Sequence, residues 1–145
     1  MKKQKIYFFL CIAALFLSGI SCNSTEDDVI SYTVSESVRV SGFSLAANDS
    51  VLAHLDTIFF TIDLNKGQIY NADSLPVGTD VSALIANISF DNVAQAKIYM
   101  DKGDPAKNDT IDYIANPTDS IDFTSKVSLE VTAQNGTTVK WYSVK

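Results

Sequence analysis

Reactive side chains are few in this sequence. Two cysteines, Cys11 and Cys22, and one histidine, His54, are its soft or near-neutral titrating groups. A thiol works through its thiolate, as nucleophile, metal ligand or acyl acceptor. Beyond Cys11 and Cys22, His54 has no cysteine to share a metal with. It stands near a turn between predicted strands, and a surface or structural role is expected of it. No nucleophile elbow, phosphate-binding glycine loop or metal-spaced His/Cys motif occurs. Asp101-Lys102-Gly103-Asp104 and Asp109 through Asp112 bring carboxylates to one loop. Calcium needs several oxygens converging at ~2.3–2.6 Å, the EF-hand spacing is missing, and turn-forming aspartates account for the loop. Neither a metal nor another cofactor is therefore expected, nor an enzymatic activity. Trp141 and Tyr99 remain as a candidate binding surface. They make an aromatic platform for sugars, pack against a following domain, or simply lie on a sheet face.

Cys22 has a telling position. Lys2, Lys3 and Lys5 precede an unbroken apolar run from Ile6 to Leu17. The run is too short for a membrane-spanning helix, which needs roughly 20 residues. A basic tip, a short apolar core and small residues before a break define a secretory signal peptide, to be set apart from the fold. Once residues 1–21 are removed, Cys22 is the lone cysteine and no intramolecular disulfide is possible. The remaining 124 residues suit one domain with one core. They carry eight cations against seventeen acids, a net charge of −9. Such a balance, with no Lys/Arg cluster, argues against nucleic acid and anionic lipid surfaces as partners.

Leu17-Ser18-Gly19-Ile20-Ser21-Cys22 resembles the lipobox of bacterial lipoproteins. Ile20 departs from the small residue usual at its position. The resemblance implies cleavage before Cys22 and a diacylglycerol on its thiol. Glu26, Asp27 and Asp28 lie in a polar tether, Asn23 to Asp28. They resemble the acidic surface-export signal of Bacteroidota lipoproteins, which implies an outer-membrane, cell-surface location. Five triplets join Asp to Ser or Thr and then an apolar residue; their hydroxyls are Ser50, Thr57, Ser74, Thr110 and Ser120. Random mixing of this composition gives roughly one. The triplet resembles the O-glycosylation acceptor of Bacteroidota extracytoplasmic proteins, although β-turn grammar favours the same order.

The rest of the chain reads as strands. Fourteen Asp against three Glu, with abundant Val, Ile, Thr, Phe and Tyr, is the composition of a turn-rich β-protein. Strands are expected at Val29 to Val34, at Val38 to Leu45 with a phase slip at Gly42, and at Thr57 to Leu64. Gln68 to Asn71 pairs back across an Asn65-Lys66-Gly67 turn. Further strands fall at Ala86 to Phe90, Gln95 to Met100 and Thr110 to Ala115, with a short inward pair at Ile121 and Phe123. Single helical turns are expected after Asn48-Asp49-Ser50, through Leu55, and after Asp80, from Val81 to Leu84. Val127 to Gln134 and Thr137 to Lys145 flank Asn135-Gly136, which suits a two-residue type I′ turn. That turn sets Leu129 opposite Tyr142 facing the core, and Glu130 opposite Trp141 facing out.

Many short strands between turn signals predict an all-β, two-sheet antiparallel β-sandwich over residues 29–145, after a signal peptide (1–21) and a lipidated tether (22–28). The order is similar to the immunoglobulin-like domains of Bacteroidota surface lipoproteins. Gly78-Thr79-Asp80, Asp122-Phe123, Val131 to Thr137 and Trp141-Tyr142 carry that resemblance over about residues 38 to 145. The function expected is that of a non-enzymatic surface module: a spacer, or an adhesion or glycan-associated binding domain. The alternative is an interaction domain docking another surface protein or a downstream β-propeller. The partners implied are the outer membrane, through the anchor, and a glycan or a surface protein.

Overall fold

In a computed structural model, residues 34–145 are described. Cys22, Glu26, Asp27, Asp28 and most of the expected first strand lie outside them. Val34, the last residue of that expected strand, is exposed and unpaired with any strand.

Eight strands follow: β1 (Arg39–Leu45), β2 (Thr61–Asp63), β3 (Gln68–Tyr70), β4 (Ala86–Asp91), β5 (Val93–Asp101), β6 (Asp109–Asp112), β7 (Lys126–Ala133) and β8 (Val139–Val144). They form two sheets in a sandwich-like arrangement. One holds β1 and β4; the other is six-stranded, in the order β2-β3-β8-β7-β5-β6. β1 carries a bulge between Val40 and Gly42, where the phase slip was expected. The extra residue lets Val40, Phe43 and Leu45 all turn inward despite their opposite parity. Gly42 sits against Ser89, whose Cβ would stand 3.3 Å from a methyl placed there.

The core lies between the sheets. Val38, Val40, Leu55, Ile69, Leu84, Ile98, Ile121, Leu129 and Val131 are all but inaccessible to solvent. Alternation does this work: in β7, Val127, Leu129, Val131 and Ala133 are buried while the residues between them are not. Two tyrosines, Tyr113 just after β6 and Tyr142 in β8, reach across the gap. Tyr113 donates its hydroxyl to Ala86 O (3.1 Å) and accepts from Ile88 N–H (2.8 Å). Tyr142 accepts from Val40 N–H at 3.4 Å, beside the bulge.

Several expectations are corrected. The sandwich is not antiparallel throughout, because β3 runs parallel to β8, pairing Gln68 with Ser143 and Ile69 with Val144. These strands are far apart in sequence, so no tight turn dictates their direction. The expected strand from Thr57 to Leu64 shrinks to β2. Its partner β3 offers only three residues, and Phe59 turns out to solvent, 78% exposed. The strand expected to reach Ala115 stops at Asp112, whose carbonyl accepts from Asn116 N–H and begins a turn.

No helical turn follows Asp80. Its carboxylate does hold Ser82 N–H and the Ser82 hydroxyl. However, Leu84 exchanges backbone hydrogen bonds with Ile121, and Val81 O accepts from Phe123 N–H. Pairing across the molecule wins over a local turn. Nor does a helical turn run through Leu55 from Asn48. A tight turn closes on Asn48 O, and a 3-10 turn then spans Leu55–Thr57.

The β7–β8 hairpin keeps its expected register, with Leu129 opposite Tyr142, Glu130 opposite Trp141 and Val127 opposite Val144. Its turn is not type I′, which needs positive φ at both central residues. Here Gly136 has φ 72 and Asn135 does not share it. Gly136 N–H closes on Ala133 O instead. Asn135 Oδ1 takes the N–H groups of Thr137 and Thr138, so its side chain rather than its backbone shapes the loop. The longer loop is centred on the same point, so the register survives.

Candidate functional site

The outward face of the six-stranded sheet brings Tyr99 and Trp141 together. Pairing aligns Trp141, Glu130, Lys97 and Asp112 in one row across β8, β7, β5 and β6. The next row runs Ser143, Ser128, Tyr99 and Thr110. Tyr99 and Trp141 are thus diagonal neighbours with β7 between them. Their ring centroids stand 5.4 Å apart at 33°. That separation lies within the range of about 4.5–7 Å at which aromatic rings attract one another.

The Tyr99 hydroxyl donates to Glu130 Oε2 at 2.8 Å. That bond, with partial burial and the carboxylate's charge, pushes the Tyr99 hydroxyl above its ordinary value of 10.0. It also fixes the ring's tilt and leaves the second Glu130 oxygen free of Tyr99. Trp141 is 54% exposed, and Val139, two residues before it on the same strand face, is 42% exposed. The result is an apolar shelf edged by a carboxylate, with Lys97 next along the row. A sugar ring presents the complementary pair of features: an apolar face of C–H groups and a hydroxyl rim that donates to carboxylate.

Glu130 was not among the residues singled out from the sequence. Its position opposite Trp141 follows from the hairpin, but its contact with Tyr99 depends on the pairing of β5 with β7, and nothing local signals that.

The five candidate acceptor hydroxyls all belong to exposed residues. They do not gather. Ser50 lies in the turn that closes on Asn48 and donates to Asn48 Oδ1, and Thr57 ends the 3-10 turn and donates to His54 O. Ser74 sits in the β3–β4 connection with φ 58, Thr110 on the edge strand β6, and Ser120 just before the Ile121 bridge. His54 is exposed and holds φ 61, which starts the 3-10 turn. The Asp101–Asp109 loop is organised by its own backbone: Asp101 and Asp104 carboxylates accept from Gly103 and Ala106 N–H. Among the described residues, no three His, Cys, Asp or Glu side chains converge as metal ligands. No helix among them is long and apolar enough to cross a membrane.

A second feature went unread in the sequence. At one end of the sandwich, an apolar cavity of about 270 Å³ opens between the layers. It is walled by Leu45, Phe60, Leu75, Val81, Leu84, Phe123 and Val144, with Asn71, Ser74 and Lys145 as its polar members. The Val81–Phe123 and Leu84–Ile121 pairings described above build two of its walls.

No curated protein and no solved structure matches the chain. Residues 32–145 match the N-terminal domain of a family described as a domain of unknown function, DUF6242. That match takes in every strand of both sheets, the tilted aromatic pair and the cavity, and the chain belongs to this DUF6242 family.

Proposed function

We propose that this chain is a non-enzymatic, lipid-anchored surface module of immunoglobulin-like build that binds glycan on the outward face of its larger sheet. The Tyr99–Trp141 pair carries this reading. Two aromatic rings tilted against each other, one of them held by a carboxylate, form a preorganised shelf, so little ordering has to be done on binding. Aromatic shelves with flanking carboxylates suit neutral sugars better than anionic ones here, because the mature chain is strongly acidic. Anchoring through Cys22 and export directed by Glu26, Asp27 and Asp28 would present that face outside the cell.

Trp141 is the single tryptophan of the chain, so its fluorescence reports the shelf directly. Titration with neutral polysaccharides selected on a glycan array is expected to shift that emission. Trp141→Phe and Tyr99→Ala are expected to weaken binding, and Trp141→Ala by at least ~tenfold, the loss typical of a central aromatic contact. Retention of full affinity by Trp141→Ala would remove the shelf from consideration.

A second reading has its own observation. Val139 extends the exposed surface beside Trp141, and a band of this kind also suits docking of a further domain or another surface protein. Under that reading, no glycan shifts the Trp141 emission, and the partner protein does.

A further inference from the structure

We propose that the β2–β3 hairpin is a strap across the edge of β8 that opens ahead of the rest of the domain, baring the edge of the strand that carries Trp141. The inference is independent of what the aromatic shelf binds, because it concerns only how β8 is held.

The side chains of the hairpin fasten it weakly. Thr61, Ile62 and Asp63 of β2 are all only half-buried, and Ile69 is the one buried residue of β3. Phe59 and Leu64, on either side of β2, are 78% and 48% exposed. Phe60 and Asn71, at the two ends of the hairpin, border the cavity of about 270 Å³, and atoms beside a void lose the contacts that packing would give them. Segments with few buried apolar contacts open at lower cost than the whole fold.

The hold of β3 on β8 is short as well. Gln68 pairs with Ser143 and Ile69 with Val144, in parallel, a pairing slightly less stable per residue than the antiparallel one. Ser143 N–H donates to Gly67 O and Lys145 N–H to Ile69 O, both at 2.9 Å, but the last bond, from Asn71 N–H to Lys145 O, is long at 3.4 Å. Asn71 Nδ2 donates to Phe59 O at 2.8 Å, while Asn71 Oδ1 is buried without a partner. A buried acceptor left unpaired is costly, and opening of the strap returns that oxygen to water. The opposite edge of the sheet is fastened otherwise. There β6 pairs four residues with β5 and buries Ile111, and the buried Tyr113 that follows ties it to β4 through its hydroxyl.

Amide-resolved hydrogen exchange on the full chain in detergent tests the strap. Asn71 and Ser143, whose N–H groups bridge β3 and β8, are expected to be protected at least ~tenfold less than Leu129 and Val131 in β7, which has a strand on either side. The Tyr113 N–H, bonded to Ala96 O at the other edge, is expected to be better protected than either strap amide. Gln68→Cys with Ser143→Cys then locks the strap. The two positions are paired on neighbouring strands about 4.8 Å apart, within reach of a disulfide, and Cys11→Ser with Cys22→Ser leaves the designed pair as the only thiols. Oxidation of this variant is expected to raise Asn71 and Ser143 to the protection of Leu129 and Val131, and reduction to return them to the parent's rates. The parent comparison stands whether or not the disulfide closes. Equal protection of Ser143 and Leu129 in the parent, a Tyr113 amide as poorly protected as Ser143, or identical exchange in the oxidised and reduced forms would each overturn the proposal.

Discussion

The hydroxyl of Tyr113 accepts a hydrogen bond from the backbone N–H of Ile88 at 2.8 Å, and this bond joins the two sheets. Tyr113 follows β6 in the larger sheet, and Ile88 is central to β4 in the smaller one. The same hydroxyl donates to Ala86 O, so one phenol satisfies a donor and an acceptor on the side of β4 that β1 does not cover. A two-stranded sheet is marginal by itself. Here its unpaired side is served by a side chain from the opposite layer, and the ring below packs edge-on against Phe90 at 5.8 Å.

Tyr113→Phe keeps the ring and removes the hydroxyl. It leaves the Ile88 N–H without its partner, at a cost of about 1–3 kcal/mol. For a domain of this size, the melting temperature is expected to fall by roughly 4–12 °C. Tyr142→Phe is expected to cost less, because its bond to Val40 N–H is long at 3.4 Å. Hydrogen exchange at Ile88 should accelerate in the first variant alone. Unchanged exchange there would mean that β4 is not held by Tyr113.

Anchoring gives the second prediction. Cys22→Ala is expected to leave the protein uncleaved or to release it from the membrane fraction, read by detergent-phase partitioning. Replacing Glu26, Asp27 and Asp28 with Ala is expected to keep the lipid but withhold the protein from the cell surface. Surface labelling of intact cells distinguishes the two. A triple variant labelled as brightly as the parent would rule out the acidic segment as the export signal.

What could be read from the sequence followed the range of the interactions. The β7–β8 register was legible because the turn residues and the alternation of Val127, Leu129 and Val131 lie within one hairpin. The bulge near Gly42 was legible because a parity change is visible along one strand. The parallel β3–β8 pairing was not, since it joins residues over seventy positions apart with no local signature. The one-turn helix after Asp80 failed for the same reason. Its cap formed, with Asp80 holding Ser82, but the backbone it should have nucleated was taken by Ile121 and Phe123. Tyr99 and Trp141 were each visible as outward aromatics. That they meet, and that Glu130 holds Tyr99, depends on which strand lies between. The orphaned Asn71 oxygen has no sequence signal at all, because it is a property of what surrounds it.

Carboxylates set the pH response. Asp63 takes the Lys66 and Asn65 N–H groups, Asp80 the Ser82 hydroxyl and N–H, Asp91 the Arg39 guanidinium, and Asp122 the Thr124 hydroxyl and N–H. Each of these bonds holds its carboxyl below the usual aspartate value of 3.8. A depressed folded value favours the folded state above 3.8, and that contribution is lost as pH falls through the folded values. Stability is therefore expected to decline below about pH 3.8 on account of these groups. Combining Asp63→Asn, Asp80→Asn and Asp122→Asn should make the acid limb shallower, and an unchanged acid limb would contradict the assignment. Tyr99 acts in the opposite direction. Its value is raised, so its contribution is present below pH 10.0 and fades as pH climbs through the raised value. Glu130→Gln is expected to lower the Tyr99 titration seen by ultraviolet difference.

Gly67 ties the edge of the larger sheet to the aromatic shelf. It has φ +60, and a Cβ there would stand 2.5 Å from the carbonyl oxygen of Trp141. The contact is backbone, so it cannot be relieved by a rotamer change. Gly67 O also accepts from Ser143 N–H at 2.9 Å, which starts the parallel β3–β8 ladder and seats Ile69 in the core. Gly67→Ala must therefore separate β3 from β8 or displace β8 against β7. Left-handed backbone costs an alanine about 1–2 kcal/mol on its own, and the clash adds to it. Gly136→Ala supplies the control: it too has positive φ, at 72, but a Cβ there meets nothing within 4 Å. Gly67→Ala is expected to melt at least ~4 °C below Gly136→Ala, the shift equivalent to a further ~1 kcal/mol, and to alter Trp141 fluorescence, which Gly136→Ala should not. If the two variants melt together with the same emission, the close approach of Gly67 to Trp141 does not constrain the fold, and the shelf is not braced from the β3 side.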